Sequence, residues 1–265
     1  MRALAVTLVL LLASPARAVD RQQIATINVA ATSLFTFLGC LVQKRITTRG
    51  DAARCFSAGA VAGVGFYQAK RLAARGDIAT GWIVANAATS LVENTTAGDH
   101  PLGRIGYTFG PFRLRVATPL DRARESSVDL DVSVAETGYL FRAVQDADDF
   151  DVRDGLLWFE TRNRLTEDDV VFNGYTWGIY PGTWSRAGAS TWRHEAVHAV
   201  QALQLDSVEP PALTAQRSRR PVRIRHVRLG TVNVADNLLS GRASYDDRWV
   251  EIEAYRLTDD RRPPQ

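Results

Sequence analysis

The sequence contains little cysteine and few histidines. Its 265 residues include two cysteines, too few for a small disulfide-built scaffold or a cysteine-rich zinc module. Ten prolines and nineteen glycines exclude a collagen-like or low-complexity chain. Because 46% of the residues are hydrophobic, the chain can bury one large core or two small ones, and we expect a globular protein.

A large excess of charge of one sign is also absent. The 32 Lys and Arg residues stand against 29 Asp and Glu residues, which gives a formal net charge of +3. An excess this small does not indicate a nucleic-acid partner, and we expect none. The arginine-rich run at 217–230 fits one solvated face of a strand, and it also fits a stripe that binds a polyanion.

The first eighteen residues resemble an export signal. Arg2 precedes an apolar run, and residues 16–18 form the small-x-small pattern that signal peptidase accepts. We therefore expect residues 1–18 to be a signal peptide and the mature protein to be periplasmic or secreted from a bacterium. In that oxidising compartment, Cys40 and Cys55 either form a disulfide or stay as two buried thiols.

Residues 19–102 form an apolar region rich in small residues. Its uncharged stretches predict three packed helices, separated by charged breaks at 70–77 and 93–100; the stretches are 24–42, 58–66 and 78–92. Gly59, Gly63 and Gly65 would let neighbouring helices approach closely. The first stretch is just long enough to cross a bilayer, so membrane association through these helices stays open.

From residue 103 onwards the pattern predicts an α+β domain that extends to residue 265. Alternating, β-branched and aromatic segments predict a short, mostly antiparallel sheet; these segments are 107–117, 126–134, 156–162 and 170–180. A turn-rich loop at 181–190 leads into a helix at about 191–203, and a last helix is expected near 248–257.

The segment His-Glu-Ala-Val-His at 194–198 points to metal chemistry. On a helix, His194 and His198 lie one turn apart on one face and can bind the same zinc ion. Glu195 lies beside that face and can accept a proton from a water molecule. The opposite face of this helix is apolar, so we expect the core to hold the metal-binding face outward.

A catalytic zinc site needs a third protein ligand, and the helix near 248–257 is its best source. Glu251 and Glu253 lie about 200° apart on a helix, so one of them can join the ion. Ala254 shares the face of Glu251 and would allow close packing there, which favours Glu251. Three other residues stay open as ligands: Asp246, Asp247 and His226. Gln201 also faces the site, either to bond a ligand or substrate or to cap the helix.

The HEAVHAVQ segment followed by EIEAY resembles the gluzincin group of zinc metallopeptidases, chiefly over residues 190–257. The resemblance implies a zincin-like domain in which His194, His198 and Glu251 bind Zn²⁺ and Glu195 is the catalytic general base. Tyr255 departs from the pattern, because it stands where gluzincins often have Asp or Asn.

Tyr255 has three open roles: it can hydrogen-bond a ligand, donate its phenolic proton to the oxyanion of the reaction, or pack in the core. We take it as a second candidate catalytic residue. Tyr245 and His226 are the other candidates for the oxyanion donor.

Together these features predict an exported zinc-dependent metalloendopeptidase that acts on a peptide or protein substrate. A zinc-activated water molecule, deprotonated by Glu195, would attack the peptide bond. The alternative is a catalytically silent zinc-binding envelope protein, associated with the membrane through the helices of residues 19–102.

Overall fold

Three long helices open the fold. The computed structural model describes residues 20–121, 128–167, 170–207, 213–214, 222–228 and 249–258, with the backbone alone for 165–167, 170–172, 213–214 and 222–228. Helix α1 spans Arg21–Val42, α2 spans Arg49–Ala74 and α3 spans Ile78–Ala97, so the three predicted helices are present. Of the described helices, α1 is the one long and apolar enough to cross a membrane, a criterion that core helices of soluble proteins also meet. The predicted signal peptide, residues 1–18, lies outside the described residues.

The charged breaks predicted at 70–77 and 93–100 begin too early, because Lys70 and Glu93 lie inside helices α2 and α3. Both side chains are buried in ion pairs: Lys70 lies 2.8 Å from Glu253, and Glu93 lies 2.9 Å from Arg113. A charge that is paired in the interior does not have to reach solvent, so neither residue ends its helix.

The glycines of α2 allow this helix to pack closely against α1. A Cβ atom on Gly59 would lie 2.6 Å from the Cα atom of Ser33, and one on Gly63 would lie 2.6 Å from that of Val29. These distances are too short for any side chain, so the predicted close approach of the helices is confirmed. A Cβ atom on Gly65 would lie 3.0 Å from Ala88 of α3.

The structure joins Cys40 of α1 to Cys55 of α2 in a disulfide, with the two Cα atoms 6.5 Å apart. Of the two possibilities that the sequence left open, the structure therefore has the paired form. The bond closes a loop of 15 residues between two helices that already pack together.

Replacing both Cys40 and Cys55 by Ala should lower the free energy of unfolding by about 3 kcal/mol, because the loop of the unfolded chain gains conformational freedom. Urea unfolding of the mature protein measures this. The unmodified protein under a reducing agent should show the same loss, and equal stability of all three samples would contradict the prediction.

Eleven strands are described. They are β1 (Arg104–Phe109), β2 (Phe112–Ala117), β3 (Val128–Ser133), β4 (Asp149–Arg153), β5 (Leu156–Thr161), β6 (Leu165–Glu167), β7 (Val170–Phe172), β8 (Gly174–Trp177), β9 (Tyr180–Trp184), β10 (Leu213–Thr214) and β11 (Val222–Arg228). Helix α4 (Val134–Asp146) lies between β3 and β4, α5 (Ala189–Ser207) follows β9, and α6 (Trp249–Thr258) is the last described element. The α+β class is confirmed, whereas part of the loop predicted at 181–190 belongs to β9.

The strands form two sheets and a hairpin rather than one sheet. The five-stranded sheet has the order β1-β2-β3-β11-β10, the four-stranded sheet has the order β4-β5-β9-β8, and β6 pairs with β7. Each larger sheet contains one parallel pair, β3 with β11 and β5 with β9. All other pairs are antiparallel, as expected for a mostly antiparallel arrangement.

The five-stranded sheet turns its polar face toward helix α3. Arg113 donates to Glu93 at 2.9 Å, to Asn86 at 2.7 Å and to Ser90 at 2.8 Å, all of them on α3. The apolar side chains of β1 and β2 point away from the helices and are about half exposed; they are Ile105, Tyr107, Phe109, Phe112, Leu114 and Val116. The interface of this sheet with α3 is therefore held by buried hydrogen bonds and ion pairs.

One continuous apolar core connects the N-terminal helices to the rest of the chain. It contains Ile24 of α1, Phe66 of α2, Trp82 of α3, Trp158 of β5 and Val197 of α5, all at most 1% exposed. The predicted boundary at residue 102 thus marks a change of composition. It does not divide the core, because side chains from both sides of it pack together.

Helix α4 carries a buried acid at its first turn. Glu136 is 1% exposed, and its Oε2 atom accepts a hydrogen bond from the Ile179 amide at 3.1 Å. Its Oε1 atom has no hydrogen-bond partner among the described residues. Burial, together with the charge of Asp206, raises the pKa of Glu136 well above 4.5.

Glu136→Gln should make the protein more stable at neutral pH, with a benefit that shrinks toward acid pH. Because the pKa of Glu136 is raised in the folded state, the free energy of unfolding falls as the pH rises from about 4.5 to that raised pKa. A glutamine keeps the bond from Ile179 but does not titrate. Urea unfolding of both proteins between about pH 4 and pH 8 tests this; a stability difference that does not vary with pH would contradict it.

Candidate metal centre

Helices α5 and α6 carry the candidate site. They contain the segments predicted as helices at 191–203 and 248–257, and both predictions are confirmed to within a few residues. Ala254 is fully buried where α6 meets the core, and Gln201 of α5 donates to the carbonyl oxygen of Val250 on α6 at 2.9 Å. The two helices are therefore in direct contact, as the small side chain of Ala254 predicts.

Three potential ligand atoms converge between these helices. The Nε2 atoms of His194 and His198 lie 3.0 Å apart. The Oε2 atom of Glu251 lies 3.2 Å from His194 Nε2 and 3.3 Å from His198 Nε2. The preference for Glu251 over Glu253 thus agrees with the geometry, because Glu253 bonds Lys70 and Gln201 instead of the two histidines.

The donor set and its spacing fit a zinc ion. In a tetrahedral site with bonds of about 2.0 to 2.1 Å, two ligand atoms are about 3.3 Å apart. The three separations in the structure, 3.0, 3.2 and 3.3 Å, are close to that value. Two imidazoles and one carboxylate are also the ligand set of several catalytic zinc sites.

The electrostatics of the site favour a positive charge. Burial alone would raise the pKa of Glu251, but the charges and hydrogen bonds of His198 and His194 outweigh it and hold that pKa well below 4.5. Burial would likewise lower the pKa of His198, but mainly Glu251 raises it to about 9. Without a metal ion, the cluster thus retains a proton at the position where a cation would bind.

The metal-binding face is turned inward, contrary to the expectation from the sequence. The apolar back of α5 is buried as predicted, yet His194 is only 7% exposed and Glu195 only 5% exposed. Helix α6 covers one side of this face, and strand β8 covers another. Most of the surface of α5 is therefore in contact with protein.

Strand β8 holds the carboxylate of Glu195. Thr176 donates to Glu195 Oε2 at 2.7 Å, and a Cβ atom on Gly174 would lie 2.6 Å from Oε1. Burial raises the pKa of Glu195, and the neighbouring His198 and His194 offset part of that rise. A raised pKa suits a residue that must accept a proton and then release it.

Tyr255 packs against a ligand residue. The centres of its ring and of the His194 ring lie 4.6 Å apart, at an angle of 49°. The Nδ1 atom of His194 is buried and has no hydrogen-bond partner among the described residues. The ring contact agrees with the packing role, while the two hydroxyl roles of Tyr255 stay predictions.

Behind His198 lies a buried polar network. Gln201 Oε1 lies 2.7 Å from His198 Nδ1, and Gln201 Nε2 donates to Glu253 Oε2 at 2.8 Å. Lys70 donates to the same Glu253 oxygen at 2.8 Å, and Asn28 donates to Glu253 Oε1 at 2.6 Å. Burial lowers the pKa of Lys70, and Glu253 offsets part of the effect.

Several expected candidates cannot be placed. Asp246, Asp247 and Tyr245 lie outside the described residues, and only the backbone of His226 is described, in β11.

Conversely, Thr176, Lys70 and Asn28 were not identified from the sequence as part of the site. The sequence carries no clear signal for Lys70, because it lies beside Arg71 in a segment predicted as a charged break.

Comparisons with known proteins add no relative. No protein-family model, no curated protein and no solved structure matches this chain. The geometry and chemistry of the site are therefore the basis for a function.

Lys70→Met should lower the free energy of unfolding by about 3–5 kcal/mol, because it leaves Glu253 buried without its counter-charge. The double change Lys70→Met with Glu253→Met removes both charges and should recover most of that loss. Urea unfolding of the two variants measures this, and a double variant no more stable than Lys70→Met would contradict it.

Proposed function

We propose that the protein is an exported zinc-dependent metallopeptidase in which His194, His198 and Glu251 bind the ion and Glu195 is the general base. The observation that carries this proposal is the convergence of three ligand atoms at the separations of a tetrahedral site. A buried carboxylate, Glu195, next to one of these ligands supports it further.

A zinc ion bound there would polarise the substrate carbonyl and lower the pKa of a water molecule to about 7. Glu195 takes the proton from the attacking water and passes it to the leaving amine. Thr176 fixes one carboxylate oxygen of Glu195, which orients the base. Gly174 leaves the space that the other oxygen occupies.

Strand β8 supports a peptide as the substrate. Among the described strands, β8 is an outer strand of its sheet and pairs with β9 alone. An extended peptide that paired with β8 would run beside Glu195, which Thr176 of this strand contacts. A zincin-like arrangement of sheet and metal-binding helix is part of the proposal.

Glu195→Gln should keep the zinc and lose the activity, because the amide cannot accept the proton. We expect about one zinc per chain in both proteins, by elemental analysis, and a fall of about 10²- to 10⁴-fold in hydrolysis of unfolded protein substrates. His194→Ala and Glu251→Ala should lose the zinc. Hydrolysis at an unchanged rate in Glu195→Gln would overturn the role of Glu195, and a metal-free wild type would overturn the zinc site.

The second candidate function is a catalytically silent zinc-binding envelope protein. Two observations favour it: Tyr255 replaces the usual Asp or Asn, and His194 Nδ1 has no partner among the described residues. A wild type that binds zinc but does not hydrolyse any peptide of a broad library would support this candidate. Export is part of both proposals, whereas membrane association through the N-terminal helices belongs to the second one. Release by osmotic shock, compared with extraction by detergent, tests the two.

A further inference from the structure

The amide of Gln201 has one possible orientation. Its two near neighbours on α6 are the Glu253 carboxylate at 2.8 Å and the Val250 carbonyl at 2.9 Å, and both groups only accept hydrogen bonds. The NH₂ end of the amide must therefore face α6. The amide oxygen is consequently the atom that lies 2.7 Å from His198 Nδ1.

This orientation fixes which nitrogen of His198 carries a proton toward Gln201. An amide oxygen accepts hydrogen bonds, so Nδ1 must donate. With its proton held at Nδ1, the imidazole directs the lone pair of Nε2 to a metal ion. Nε2 is the atom that lies beside His194 and Glu251.

Side chains of the N-terminal helices hold Glu253, the hydrogen-bond partner of Gln201, in place. Lys70 of α2 donates to Glu253 and to Asn28 Oδ1, each at 2.8 Å, and Asn28 of α1 donates to Glu253 Oε1. The four side chains of this network are at most 5% exposed; they are Gln201, Glu253, Lys70 and Asn28. Both oxygens of Glu253 are thus occupied, and its carboxylate cannot turn away from Gln201.

We propose that Gln201 is a positioning residue for the metal site, held in place by Glu253, Lys70 and Asn28, so that helices α1 and α2 tune its zinc affinity. This proposal rests on the metal site of the proposed function and does not depend on hydrolysis. A purely structural Gln201 would join α5 to α6 through Val250 and would leave zinc affinity unchanged.

Gln201→Met tests the proposal, because methionine has a similar volume and cannot hydrogen-bond His198. The matched control is Gln204→Met, one turn later on α5, where the amide donates to Thr32 of α1 at 2.9 Å and no bond to a ligand residue is described. We expect Gln201→Met to weaken zinc binding by about 10- to 100-fold in chelator competition, and Gln204→Met to leave it unchanged.

Asn28→Ala provides a second variant if Gln201→Met does not fold. Asn28 bonds Glu253 and Lys70 and makes no described bond to a metal ligand, so a structural role alone would leave zinc affinity unchanged. We expect Asn28→Ala to bind zinc more weakly than the wild type does. The loss should be smaller than that in Gln201→Met, because Lys70 still bonds Glu253.

A readout independent of activity is the Nδ1 proton of His198 in the zinc-loaded protein, observed by ¹H–¹⁵N NMR. It should be a slowly exchanging signal in the wild type and in Gln204→Met, and it should exchange rapidly in Gln201→Met. Equal zinc affinity and equal exchange in the two glutamine variants would overturn the positioning role alone. A wild type that binds no zinc would overturn the proposed metal site as well.

Discussion

The candidate site depends on the register of a short helix. Helix α6 has ten residues, too few for an isolated helix to be stable in water, so contacts with its neighbours must hold it. Its two acids have different partners: Glu251 lies beside the histidines of α5, and Glu253 bonds Lys70 of α2 and Gln201 of α5. A shift of α6 by one residue would break both contacts together. The buried ion pair thus sets the position of the third ligand.

Buried charges are used repeatedly in this fold. Lys70 with Glu253, Arg113 with Glu93 and Arg104 with Asp129 are all ion pairs with both partners nearly inaccessible to solvent. Removing such charges from water is costly, and the attraction of the pair compensates only when hydrogen bonds satisfy the remaining polar atoms. Here the amides of α3 and of α1 supply those bonds, as Asn86 does for Arg113 and Asn28 for Lys70. The pairs join helix to helix, helix to strand and strand to strand, so other arrangements of these elements would leave a charge unpaired.

Much of the site follows from helical periodicity. The position of His194 and His198 on one helical face, and the choice of Glu251 as the third ligand, depend only on residues close in sequence, and the structure agrees with both. The limits of α2 and α3 did not follow, because a charge normally ends an apolar stretch. Lys70 stays inside its helix through a partner 183 residues away. Thr176 was missed for the same reason: no local pattern shows that a strand packs beside Glu195.

Contacts of α1 also constrain any association with a membrane. Asn28 bonds Glu253 of α6, and Thr32 accepts a bond from Gln204 of α5. The inner face of α1 therefore lies against the two helices that carry the candidate ligands. If α1 crossed a bilayer, α5 and α6 would lie at the same depth, with Lys70 and Glu253 beside them. A set of membrane spans joined to a separate metal domain outside the membrane therefore does not fit these contacts, because α1 packs directly against the helices that carry the candidate ligands.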